Sequence, residues 1–176
     1  MKFSLDFDGI FTDESTIDLS LVNREWFFWA ERSVMYFPLR NGVRQIASFL
    51  SYFGELIITT ARPPAHHESI RRWLRINAPE LSSIKIISSG SSNKSDLLRA
   101  MGVCIHIDDD FINAGHLKSS YPFVIIWSYE SVSEILQKVI DFLNDWKFEN
   151  SVRISISDLA MSSATPTFLI GKQGLL

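Results

Sequence analysis

Five short apolar runs recur along this chain, and segments with helical spacing separate them. Each run has four or five residues, is rich in Ile, Val or Phe, and is bounded by Gly, Pro, Ser or Asp. That pattern is typical of strands buried on both faces of a sheet. The five predicted strands are Phe3–Phe7, Leu56–Thr59, Ile84–Ile87, Val103–Ile107 and Phe123–Trp127.

The segments between these runs carry apolar residues at helical spacing, most clearly from Val132 to Trp146. We predict Gly54 as the stop of the first helix, with Asn93 and Ser131 as N-caps of later helices. Strands that alternate with helices predict βαβ units. The expected fold is therefore a Rossmann-like three-layer α/β/α sandwich with a mostly parallel five-stranded sheet.

Two segments do not follow this alternation. Residues 14–38 are rich in aromatic side chains, and we predict a small helical insertion there, after the first strand. The sequence leaves three roles open for these side chains: core, a lid over substrate, or a dimer contact. Residues 150–176 form either a tail or an added edge strand. We expect one α/β domain over residues 1–149.

Charge and composition restrict the partners. The formal net charge of −3 gives no overall attraction to nucleic acid or anionic membranes, although a local basic patch would still allow nucleic acid. The N-terminus has no signal-peptide pattern, and no apolar stretch approaches the ~20 residues that span a bilayer. The expected location is cytoplasmic, with a secreted effector as the alternative.

Carboxylates gather where two of the predicted strands end. Asp6 and Asp8 close the first strand and precede Gly9, and Asp108–Asp110 close the fourth. Strand ends of a parallel sheet lie at one edge, so neighbouring strands would bring these groups together. Their mutual repulsion calls for a cation, and oxygen-only ligands suit Mg²⁺. Taken singly, each acid also fits a turn or a helix cap.

Phosphate-binding groups are predicted at the same edge. The second predicted strand runs into Thr59, Thr60, Ala61 and Arg62, where a hydroxyl and backbone amides can hold phosphate. Lys94 opens the third helix and can direct a point charge at the same phosphate. Gly9 permits close approach of the backbone to a ligand.

Four segments in this order resemble the motifs of the haloacid dehalogenase-like (HAD) superfamily of phosphohydrolases: LDFDGIFTD, ITTARP, NKSDLLRAMG and HIDDD. The resemblance runs from about residue 3 to residue 127. It implies a sheet order of 3-2-1-4-5 and a Mg²⁺-dependent phosphatase that forms an aspartyl-phosphate. Ile10 and Ala61 depart conservatively from the usual motif residues, and neither gap between motifs is long enough for a large cap domain.

The resemblance also assigns roles to single residues. Asp6 becomes the nucleophile and a metal ligand, and Asp8 the acid/base, which touches the metal through its backbone carbonyl. Thr60 and Lys94, with the backbone of Gly9 and Ala61, hold the phosphoryl group. Asp109 is the preferred metal ligand, supported by Asp108. Independently of the resemblance, three further residues are candidate substrate contacts. Arg62 could bind either substrate or an edge carboxylate, Trp26 could stack on a base or belong to the core, and Trp127 could line the pocket or pack in the core.

Other functions remain as alternatives. A phosphate-accepting receiver domain needs an acceptor Asp at the third strand, which here ends in Ser88. A catalytically silent binding or structural protein of the same fold is a second rival. If the chain is an enzyme, its substrate is a nucleotide or other phosphorylated metabolite, a polynucleotide 3′-phosphate or a phosphoprotein. A homodimer would close an open cleft over a small substrate.

Overall fold

The computed structural model describes residues 1–16, 30–90, 94–109 and 123–145. Five strands form an all-parallel sheet in the order β3-β2-β1-β4-β5. The predicted α/β fold and strand order are confirmed, and strand ends shift by at most two residues. The strands are β1 (Lys2–Asp6), β2 (Glu55–Thr60), β3 (Lys85–Ser88), β4 (Ile105–Asp108) and β5 (Phe123–Ile126).

Helices follow the strands as the alternation predicts. With this strand order, the usual right-handed crossovers would put the first two helices on one face of the sheet and the third on the other. Leu98 of the third helix packs with Ile57 of β2 and with Val103. The helices are α1 (Val43–Phe53), α2 (His67–Asn77), α3 (Lys94–Ala100) and α4 (Val132–Asp145).

The described residues include two of the predicted helix ends, Ser131 and Gly54. The Ser131 backbone N–H donates to Glu134 Oε2 at 2.7 Å, and the Glu134 N–H donates to Ser131 Oγ at 3.3 Å. This reciprocal capping box confirms Ser131 as the N-cap of α4. Gly54 follows α1 as predicted, but its φ of 173° is extended, not left-handed. A β-carbon there would overlap the Met1 carbonyl, so close packing explains this glycine. Asn93 lies outside the described residues.

The segment after β1 contributes to the core in its described part. Two 3₁₀ helices, Glu14–Thr16 and Glu31–Tyr36, lie in the predicted insertion. Val34 and Phe37 are buried, whereas Tyr36 is 69% exposed. Of the three roles that the sequence left open, Val34 and Phe37 therefore take the core role. Residues 17–29, including Trp26, lie outside the described residues.

The chain divides into two compact units, Met1–Ile135 and Leu136–Leu176. The sheet and all candidate site residues belong to the first unit. The boundary predicted between residues 149 and 150, and the tail after it, lie outside the described residues. None of the helices in the described ranges has the length and hydropathy required to cross a membrane.

Trp73 of α2 ties the segment after β1 to the core. Its ring is fully buried and packs edge-on against the ring of Phe7, with 5.4 Å between the two ring centres. Its Nε1 donates a hydrogen bond to the Phe37 carbonyl at 2.8 Å. Trp73→Phe removes this donor and leaves a cavity, so we expect a loss of about 1–3 kcal/mol in the free energy of unfolding. Chemical denaturation measures it.

Ile76→Ala serves as the control on the same helix, because Ile76 is 63% exposed. It should change the free energy of unfolding by no more than ~0.5 kcal/mol. Equal losses in the two variants would contradict this account of Trp73.

Candidate active site

The carboxyl ends of the central strands bring polar side chains to one edge of the sheet. Asp6, Thr60 and Asp108 are the last residues of β1, β2 and β4, and β1 lies between the other two strands. The register pairs Asp6 with Thr59 and Leu5 with Ile107. The convergence that the sequence predicts for β1 and β4 is therefore present.

Lys94 connects the two strand ends. Its Nζ lies 2.8 Å from Asp6 Oδ1 and 2.8 Å from Asp108 Oδ2. All three side chains are at most 10% exposed, so water screens these ion pairs little. Lys94 thus neutralises part of the negative charge at this edge.

Asp109 completes a group of three carboxylates. One oxygen each from Asp6, Asp108 and Asp109 lies within 4.8 Å of the other two. Asp109 reaches this position because Gly9, at φ 75°, has no side chain: a β-carbon there would overlap the Asp109 carboxylate. Gly9 is therefore required both by its left-handed backbone and by the space it leaves.

Burial makes this arrangement electrostatically costly. It raises the pKa of Asp6 well above its ordinary value; Lys94 opposes the shift, and Asp108 and Asp8 add to it. Burial also opposes the charge on Lys94, but Asp6 and Asp108 outweigh it and raise the pKa of that ammonium. Asp108 itself stays ionised, because His106 and Lys94 outweigh its burial and lower its pKa.

The three-carboxylate group fits a divalent cation. Its donors are all carboxylate oxygens, which is the ligand set that Mg²⁺ prefers. Burial raises the pKa of Asp6 although Lys94 opposes the shift, and a bound cation would favour the ionised form of this carboxyl. Asp6, Asp108 and Asp109 are the residues that would hold the cation. The predicted contact of Asp8 through its backbone carbonyl stays a prediction.

Asp8 is held by Arg62. The Arg62 Nε donates to both carboxylate oxygens, at 2.9 and 3.1 Å, and Nη2 lies 2.8 Å from Oδ1. Nη1 donates to Ser33 Oγ at 2.9 Å, in the 3₁₀ helix Glu31–Tyr36. Of the two roles that the sequence left open for Arg62, this geometry favours binding of an edge carboxylate.

The geometry also distinguishes the two threonines of β2. Thr60 Oγ1 donates to Asp8 Oδ2 at 3.3 Å and accepts the Arg62 backbone N–H at 3.0 Å. Thr59 Oγ1 instead donates to the Leu5 carbonyl within the sheet. Thr60 is therefore the hydroxyl at the site, as preferred from the sequence.

The predicted backbone contacts to phosphate are not shown directly. The Gly9 N–H donates to Thr12 Oγ1 at 3.0 Å, and Arg40 donates to the Gly9 carbonyl. Ala61 is exposed in the bend after β2. Phosphate binding by Gly9 and Ala61 stays a prediction.

Sequence reasoning missed Arg40. Its guanidinium donates to the carbonyls of Gly9 and Ser128, which ties the loop after β1 to the loop after β5. It also stacks 4.4 Å from the ring centre of Trp127, whose Nε1 donates to the Glu130 carbonyl. No local pattern marks Arg40, because its partners lie 31 and 88 residues away.

A pocket of about 680 Å³ opens beside this cluster, between the loops after β1 and β5. Asp109 lies at the pocket wall together with Arg40 and Trp127. Trp127 is only 2% exposed, so it offers little ring surface for stacking. Of the three carboxylates, Asp109 lines this pocket.

Comparison with known proteins adds no assignment: no protein-family model and no curated protein matches this chain. A functional interpretation therefore depends on the residues and geometry described above.

The raised pKa of Asp6 predicts a pH-dependent difference from Asp6→Asn. An acid whose pKa is higher in the folded state contributes stability below its unfolded pKa and loses that contribution as pH rises through the folded value. Without divalent cations, wild type should therefore lose stability relative to Asp6→Asn as pH rises above the ordinary range for Asp. Thermal unfolding across pH measures the difference, and a constant difference would contradict the prediction.

Proposed function

We propose that this chain is a Mg²⁺-dependent phosphatase of the HAD-like type, which hydrolyses phosphate monoesters through an aspartyl-phosphate on Asp6. The observation that carries the proposal is the contact of Asp6 with Lys94 beside two further carboxylates, at the open end of a parallel sheet. The four motif segments that resemble this superfamily supply the residues of the group. Their agreement in order and in place supports the assignment.

The charges around Asp6 suit attack on phosphorus. A carboxylate and a phosphate repel each other, so positive charge must lie between them for Asp6 to act as a nucleophile. Lys94 contacts Asp6, and its ammonium would bind a phosphoryl oxygen of a substrate beside that carboxylate. Bound Mg²⁺ would neutralise the phosphate and the surrounding carboxylates.

The proposed reaction has two steps. Asp6 forms a bond to phosphorus while the bond from phosphorus to the leaving oxygen breaks. Water then attacks the aspartyl-phosphate, which releases inorganic phosphate and regenerates Asp6. Asp8 handles the protons: it gives one to the leaving oxygen in the first step and takes one from water in the second.

Asp8 is paired with Arg62 as a carboxylate in this structure, and Thr60 contacts the same group. These contacts fix the orientation of Asp8, which must take up a proton before it can give one to the leaving oxygen. The pocket beside Asp109 has the volume of a small-molecule site, which favours a small phosphorylated molecule as substrate.

An aryl phosphate with Mg²⁺ tests the proposal. Asp6→Asn should lower kcat by roughly 10⁴-fold or more, because losing a covalent nucleophile has an effect of that order. Asp8→Asn should slow hydrolysis of the intermediate, so mass spectrometry of that variant should find a phosphoryl group on Asp6. Chelation of divalent cations should stop turnover, and added Mg²⁺ should restore it.

Asp96→Asn is the control, because Asp96 is an exposed carboxylate in α3, two residues from Lys94. It should keep wild-type turnover. If wild type hydrolyses no phosphoester with any divalent cation and gains no phosphoryl group, the chain is a silent binding protein.

A further inference from the structure

A buried histidine lies directly behind the three-carboxylate group. His106 of β4 is fully buried, and its Nε2 is 2.9 Å from Asp108 Oδ2. Its Nδ1 is 2.5 Å from the Oγ of Ser4, which is its register partner on β1 and is also fully buried. A chain of hydrogen bonds therefore runs from the interior of the sheet to Asp108.

The partners fix which ring nitrogen carries the proton. An ionised carboxylate can only accept, so Nε2 donates to Asp108. The Ser4 hydroxyl has a proton to give, so it donates to Nδ1, which accepts. A neutral ring satisfies both neighbours only as this tautomer, and donation from Ser4 to Nδ1 favours donation from Nε2 to Asp108.

Two donors act on the same oxygen of Asp108. Oδ2 accepts from His106 on one side and from Lys94 on the other. Asp108 is 1% exposed, so these bonds replace water that the carboxylate would otherwise bind. Together they fix how the carboxylate is turned toward Asp6 and Asp109.

We propose that His106 is a positioning residue for the cation site, which orients Asp108 and is itself oriented by Ser4. This inference rests on the proposed function, in which the three-carboxylate group holds a divalent cation. Hydrogen-bond partners of metal-binding carboxylates typically contribute about 10- to 100-fold to metal affinity. Loss of the His106 donor should therefore weaken cation binding.

Replacing His106 by each of the two amide residues distinguishes the roles of its two ring nitrogens. The side-chain amide of Gln can reach the place of Nε2, whereas that of Asn reaches only the place of Nδ1. His106→Gln keeps a donor for Asp108, and His106→Asn keeps only a partner for Ser4. We expect His106→Asn to bind Mn²⁺ about 10- to 100-fold more weakly than wild type, and His106→Gln, which keeps the donor but loses the Ser4 contact, to bind it more tightly than His106→Asn.

Mn²⁺ binding is measured by electron paramagnetic resonance without substrate, so the readout does not depend on turnover. Circular dichroism establishes that each variant is folded. Ser4→Ala, which removes only the hydroxyl, provides a second test and should also weaken Mn²⁺ binding, because Nδ1 loses its partner. Equal affinities for His106→Gln and His106→Asn, or an unchanged affinity in Ser4→Ala, would overturn the proposal.

The outcomes separate this inference from the proposed function. If the variants differ as expected but no phosphoester is hydrolysed, the positioning role stands and the phosphatase assignment fails. If wild type hydrolyses phosphoesters and the variants bind Mn²⁺ alike, the phosphatase assignment stands and the positioning role fails.

Discussion

Repulsion among buried carboxylates is the constraint on which this site depends. The fold places Asp6 and Asp108 at neighbouring strand ends, and Gly9 lets Asp109 approach them. Like charges at such separations in a poorly solvated edge cost far more than they would in water. Lys94 offsets part of this cost, and a cation would offset the rest. Under the proposed function, the remaining negative charge would favour binding of a divalent cation at this edge.

The side chains that meet at this edge of the sheet could be predicted from the sequence, because their order in the chain and the parallel strand arrangement bring them together. Apolar runs locate β1 and β4, the acids lie at their ends, and parallel strands direct those ends the same way. Lys94 was found for a similar reason, since it opens the helix that precedes β4. Thr60 could be separated from Thr59 only by the motif, and the structure adds the physical difference: Thr59 bonds within the sheet.

Contacts between distant parts of the chain were not predictable. His106 pairs with Ser4 across 102 residues, and Arg40 reaches Ser128 across 88. Neither partnership leaves a local pattern, because each depends on how strands and loops are brought together. Gly54 shows a related failure: its position at the end of α1 was right, but its cause is the nearby Met1 carbonyl. The sequence therefore predicted the position of this glycine correctly, but not the close backbone contact that requires it.

The ion pair of Asp8 and Arg62 has a mechanical consequence. Arg62 is 4% exposed and also donates to Ser33, so a single guanidinium joins a reactive carboxylate to the 3₁₀ helix Glu31–Tyr36. Any movement of Asp8 away from Arg62 would break the contacts between this carboxylate and a buried guanidinium, and the surrounding side chains would have to readjust. The orientation of Asp8 is thus tied to the position of this helix through one guanidinium. Under the proposed function, the packing of that helix would therefore influence how Asp8 is held for proton transfer.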